Sequence, residues 1–151
     1  MPPGGRSRGL AEPEARSVQE ISDHGRRVTY TWFDPPFRPE PPHSTQAYGI
    51  CFTGDGMIVL GGGDFDGQRY LNLLGGGVEP DPDHPTGPWR YYQSRFWARV
   101  ELLRWDPQHE IDERRLVRPE DFLRTLSWGS APTAATILAA GLVAEAERGQ
   151  G

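Results

Sequence analysis

Tyr70-Leu71-Asn72-Leu73-Leu74-Gly75-Gly76-Gly77-Val78-Glu79-Pro80 is an apolar run that stops at consecutive glycines and enters an acidic, proline-marked loop. A short apolar run bounded by glycine reads as a strand. The glycines leave backbone N–H groups unshielded and tolerate positive φ, which suits a loop that approaches an anion. By spacing alone they also describe a tight turn leaving a strand, and both readings stand at this point. Upstream, Tyr48-Gly49-Ile50-Cys51-Phe52 and Met57-Ile58-Val59-Leu60 are joined by Thr53-Gly54-Asp55-Gly56, the pattern of a β-hairpin. A second Gly/Asp stretch, Gly61 to Gly67, reads as the loop that leads into Tyr70. Downstream, Tyr91 to Leu103 has period two. Tyr92, Phe96, Ala98, Val100 and Leu102 fall on one face; Gln93, Arg95, Arg99 and Glu101 fall on the other, which reads as a solvated face.

Towards the C-terminus, Arg114-Arg115-Leu116-Val117 predicts another strand. Pro119-Glu120-Asp121 places proline and acids in a first helical turn, and Pro132 opens a longer helix on which Ala134, Ile137, Leu138, Gly141 and Leu142 recur at helical spacing. Near the N-terminus, residues 1–25 are rich in Gly, Pro, Arg and Glu and predict a mobile tail. Val28, Tyr30 and Trp32 alternate as in a short strand, and Asp34 to Pro42 is a stiff proline-rich connector with P-x-x-P spacings at Pro36/Pro39 and Pro39/Pro42. The expected organisation is a tail over 1–25, a strand and connector over 26–46, one domain over 47–145 and a tail over 146–151. Strands followed by terminal helices predict an α/β (α+β) domain with a mixed, largely antiparallel sheet and flanking helices.

Composition removes several classes of function. All 16 basic residues are arginine, so lysine Schiff bases and P-loop lysines are excluded. A formal charge of −5 argues against a nucleic-acid partner, and no apolar run approaches the roughly 20 residues of a membrane-spanning helix. Cys51 is the lone cysteine, in an apolar stretch that predicts a buried thiol, so there is no disulfide or multi-cysteine zinc site. His24, His43, His84 and His109 lack metal-ligand spacing. Met1 to Arg8 has no apolar core of a signal peptide, and the expected setting is cytoplasmic.

The run from Tyr70 to Pro80 resembles the strand and glycine loop that open the Nudix box. The hairpin from Ala47 to Leu60 resembles that family's first sheet strands, and Tyr92 to Val100 its central strand after the box. Pro107, Glu110, Arg114 to Val117, Pro119 and Glu120 resemble the late strand and the start of the helix that follows. The resemblance covers roughly Ala47 to Ala140 and implies a Nudix-like fold that hydrolyses nucleoside diphosphates linked to another moiety, with Mg2+ or Mn2+ as cofactor. It also implies phosphate binding by Gly75, Gly76 and Gly77; from their shared strand face, Arg95 and Arg99 are read either as phosphate contacts or as a solvated face paired with Glu101.

The chain departs from the family inside the box. The family pattern runs from the glycines to a glutamate and then to R-E-x-x-E-E-x-G on a helix whose carboxylates hold the metal. Here the first glutamate position falls on Pro82, and His84-Pro85-Thr86-Gly87-Pro88-Trp89 cannot continue as a regular helix. The remaining candidates are Glu79, Asp81 and Asp83 as metal ligands and Glu79 or Glu110 as the catalytic acid or base. The resemblance with this gap predicts a hydrolase domain that is inactive or weak; the alternative is a non-catalytic module that binds a nucleotide or a protein. Loss of one covering helix predicts an uncovered, apolar sheet face through which the chain could form a homo-oligomer.

Overall fold

The computed structural model describes residues 12–23, 25–34, 37–39, 44–77, 91–107 and 110–148. The chain divides into two compact units, Met1–Thr45 with Glu79–Tyr92, and Gln46–Val78 with Gln93–Gly151.

In the first unit, β1 (Ser17–Asp23) pairs antiparallel with β2 (Arg26–Trp32), from Ser17↔Trp32 to Asp23↔Arg26. Gly25 supplies the positive φ, +78°, for the turn between them. The open end is clamped at Asp34, which accepts from Arg16 Nε at 2.6 Å and Trp32 Nε1 at 3.0 Å. Val28, Tyr30 and Trp32 share the less exposed face, as their alternation predicts. Within the segment expected as a tail over 1–25, Ser17–Asp23 is a strand. Composition measures the apolar area a segment can bury, whereas a hairpin is held by its ladder and cross-strand pairs, such as Arg27 with Glu20 at 2.6 Å.

In the second unit, β3 (Ser44–Phe52) and β4 (Ile58–Phe65) form the predicted hairpin. Its turn is closed by Thr53 N donating to Met57 O at 2.8 Å and Met57 N donating to Thr53 Oγ1 at 3.0 Å. β5 (Gln68–Asn72) returns along β4; β6 (Leu74–Gly77) then steps across to pair with β3. On its other edge β4 carries β8 (Glu113–Val117), antiparallel from Ile58↔Val117 to Gly62↔Glu113. β7 (Tyr92–Arg99) completes the six-stranded sheet by pairing with β3. β7 runs in the same direction as β3, because Gln93 meets Gln46 at one end and Val100 N donates to Phe52 O at the other. The sheet is open and mixed, and largely antiparallel, with helices, as expected.

Gly61, Gly62 and Gly63 belong to β4 rather than to the loop their sequence suggests. A Cβ on Gly63 would lie 2.3 Å from Glu110 O, so glycine here lets another backbone approach a strand.

A 3-10 turn (Pro119–Asp121) and the short α1 (Phe122–Thr125) lead to α2 (Pro132–Arg148), which starts at the proline that marks it and extends into the segment expected as a tail from 146. Ala134, Ile137 and Gly141 form its buried stripe, and Gly141 lies against Ile50 and Phe52 of β3. With Phe52, Ile58, Leu60 and Phe122, all fully buried, these residues make the core. Each of the large side chains among them contributes on the order of 1.5–3 kcal/mol on burial. The turn after α1 seals β5: Ser127 N and Oγ bond to Leu71 O and N at 3.0 and 2.7 Å, and Trp128 Nε1 donates to Asn72 Oδ1 at 2.8 Å. Among the described residues no helix is long and apolar enough to cross a membrane.

Alternation on β7 does not divide it into a covered and an open face: its residues are half-buried except Phe96 and Arg99, one on each side. The polar side packs under α2: Arg99 bonds to Glu145, Nε to Oε1 at 3.2 Å with a second contact from Nη2, and Arg148 lies 5.2 Å from the Trp97 ring centroid. On the other side Phe96 is 59% exposed, while Tyr92, Ala98 and Val100 are half-buried.

Candidate anion-binding shelf

Residues paired directly across a sheet share a face, so the register of β6, β3 and β7 decides which side chains meet. Gly75 stands opposite Tyr48 and Gly77 opposite Gln46. On the other edge of β3, Arg95 lies over the Tyr48 ring, its Cζ 4.8 Å from the centroid, and Gln93 Nε2 donates to Gln46 Oε1 at 2.6 Å. Two rows therefore cross three strands, Gly75–Tyr48–Arg95 and Gly77–Gln46–Gln93. They are linked by Arg95 Nη2 donating to Gln93 Oε1 at 2.8 Å.

The glycine strand is exposed, while Tyr48, Arg95, Gln46 and Gln93 are half-buried. Gly75 has φ +142°, and a Cβ there would fall 2.1 Å from Ala47 O, so only glycine fits at that position. The result is a shelf with no side chains along one side and a guanidinium fixed by stacking and by an amide on the other. A cation held this way loses little freedom when it meets an anion.

The structure thus brings Arg95 to the row of Gly75, with Gly76 and Gly77 on the same strand. It does not bring Arg99, whose charge is met by Glu145 on α2. Glu79, Asp81 and Asp83 lie outside the described residues, as do all four histidines and most of the proline-rich connector. Glu110 is exposed at the bend before β8 and stands away from the shelf strands in sequence and pairing.

Magnesium asks for several oxygen donors in near-octahedral order. Among the described residues, no group of three His, Cys, Asp or Glu side chains could hold a metal ion. The closest gathering of carboxylates surrounds a cation already: Arg69 bonds to Glu113 Oε1 at 2.7 Å, Asp64 Oδ1 at 3.4 Å and Asp112 Oδ1. Arg69 holds the Asp112 and Glu113 carboxyls below their ordinary range through these hydrogen bonds. The described carboxylates do not fit the metal that the family resemblance implies.

Cys51 is buried as expected, its Sγ 3.7 Å from Gly49 O, and burial pushes its thiol up, away from a reactive thiolate.

Opposite α2, the sheet carries Cys51 and Val59, both buried, with exposed apolar residues around them. Cross-strand pairing puts Leu116 there beside Val59, and Ile111 reaches the same side at Gly61. Arg114 joins them, lying 5.5 Å from the Trp105 ring centroid and donating to Leu103 O at 2.7 Å. Leu103 is 77% exposed, and Phe96, Leu116, Ile111 and Trp105 are exposed as well.

Sequence reasoning missed Tyr48, Gln46 and Gln93. The available signal was their i, i+2 spacing, which puts Gln46 with Tyr48 and Gln93 with Arg95 on one face each. No protein-family model matches the chain, and no curated protein matches it.

Proposed function

We propose that this chain is a Nudix-type domain that binds a phosphorylated small molecule of the nucleoside-diphosphate class on the β6–β3–β7 shelf, and that it hydrolyses such ligands weakly or not at all. The observation that carries the reading is the single row Gly75–Tyr48–Arg95, which puts side-chain-free backbone beside a stacked guanidinium. Arginine presents planar, charged donors to phosphate oxygens, and hydrogen bonds to charged groups contribute about 1.5–3 kcal/mol each. Weak turnover follows from the sequence between Glu79 and Trp89, whose prolines stand where the family carries its carboxylate helix. The test is titration calorimetry with nucleoside diphosphates, with and without magnesium. Binding that needs no metal supports the reading, and absence of any binding overturns it.

The exposed apolar residues Phe96, Leu103 and Leu116 favour a second surface, and we assign it to another copy of the chain. Arg114 stands among these apolar residues, while the exposed Glu101 and Glu110 flank them in sequence. A two-fold mate would therefore offer carboxylates to each Arg114 and apolar area to each Phe96.

A further inference from the structure

Arg95 settles more than the position of one charge. Arginine has donors and no acceptor, so the Gln93 atom that meets Arg95 Nη2 at 2.8 Å is the amide oxygen. The amide nitrogen of Gln93 then points to Gln46, whose oxygen accepts it at 2.6 Å. This orients both amides in turn, and the relay ends on the NH2 group of Gln46. Among the described residues nothing accepts from Gln46 Nε2. The relay therefore transmits the donor character of Arg95 along the row to Gln46, opposite Gly77.

On this basis, and resting on the reading of the shelf as a phosphate site, we infer that Gln46 is a second ligand contact and that it selects phosphate esters carrying a neutral acceptor group, a sugar hydroxyl or a carbonyl, beside the phosphate. Gln46 lies two residues from Tyr48 along β3, a span of about 7 Å at strand rise. The neighbouring phosphates of a diphosphate sit closer together than that. A neutral amide also suits a neutral acceptor, whereas a second anion would be better met by another cation. The shelf thus separates its tasks: Arg95 meets charge, and Gln46 reads what the charge is attached to.

The test is titration calorimetry of the full chain with two probes, inorganic pyrophosphate and UDP-glucose. Gln46→Met keeps the side-chain length and removes the donor. The expected result is about a tenfold loss of UDP-glucose affinity, the scale of one hydrogen bond, with pyrophosphate affinity unchanged. Gln93→Met, which breaks the relay upstream and also unties Arg95, should weaken both probes, UDP-glucose more than pyrophosphate. Arg95→Ala should weaken both probes. Gln46→Asn withdraws the amide by one methylene, keeps its polarity, and serves if a thermal melt shows that the Met variant does not fold. Equal loss of both probes in the Gln46 variants, or no loss of either, overturns the inference and leaves the phosphate site standing. Failure of the unaltered chain to bind either probe overturns the phosphate site, and the role of Gln46 with it.

Discussion

Tyr48 carries the Arg95 guanidinium on one neighbouring strand and faces Gly75 on the other. A cation that rests on a ring and is tied to an amide has its plane set before any ligand arrives. Arg95→Lys keeps the charge but gives up the planar donors and the stacking. The expected outcome is roughly tenfold weaker binding of a nucleoside diphosphate, with Tyr48→Ala weaker in the same direction and Tyr48→Phe unchanged. Calorimetry on the three variants checks this, and a lysine that binds as well as arginine refutes it.

Hydrolysis gives a separate test. With magnesium or manganese added, release of mononucleotide from a nucleoside diphosphate sugar is expected to match a metal-free control. Rapid metal-dependent turnover would mean that carboxylates such as Glu79, Asp81, Asp83 or Glu110 rebuild a centre, and Glu79→Gln with Glu110→Gln would then locate it.

Two adjacent glycines should respond in opposite ways. At Gly75 an added Cβ meets backbone at 2.1 Å and the backbone sits at positive φ, whereas at Gly76 nothing lies within 4 Å. Gly75→Ala is expected to cost about 2 kcal/mol or more in stability. Gly76→Ala should fold like the unaltered chain. Thermal or urea unfolding of the pair reads the difference, and similar midpoints would refute the register of β6 on β3.

Acid should loosen the fold through Asp112 and Glu113. Their carboxyls titrate below the ordinary values of 3.8 and 4.5 because Arg69 bonds to them. A group whose folded pKa is depressed contributes stability fully above its unfolded value and loses it as pH falls through the folded one. Stability should be flat near neutrality and should decline below about pH 4.5. Arg69→Met is expected to shallow that decline and to remove part of its salt sensitivity, since these pairs are exposed and screened. Denaturation midpoints against pH, at low and high salt, check both statements.

The exposed apolar residues predict self-association. Sedimentation should show a dimer at micromolar to millimolar concentration, and Phe96→Glu should shift it to monomer without lowering the melting temperature, because Phe96 is exposed in the single chain. A unaltered chain that stays monomeric through that range would remove the second copy from the reading.

The hairpin of β3 and β4 was legible because two apolar runs and the Gly/Asp turn between them agree within a few residues of each other. β8 and the start of α2 were legible for similar local reasons, the apolar Leu116 and Val117 at the end of a short run and a proline at Pro132. What escaped depends on partners remote in sequence. Gly63 reads as loop until Glu110 is known to press against it. Arg99 reads as a phosphate ligand or a solvated charge until Glu145, 46 residues away, is seen to meet it. The β7 pattern was sound as a strand, yet what covers its residues depends on where α2 lies, and no local signal in β7 carries that. β1 escaped because its residues do little burying and are held by pairing.

The way β7 lies along β3 also orders events in time. β3 meets β4 through a turn of a few residues, but Gln46 meets Gln93 only after a loop of 47 residues has closed. Loop closure of that length is an entropic cost that precedes any reward, and contacts between distant parts of the chain form late. Half of the shelf is laid down with the early hairpins, and the half bearing Arg95 arrives with the slow step. During refolding, ligand affinity should therefore lag behind the recovery of secondary structure, so that a bound phosphate compound becomes a clock for the last stage of assembly.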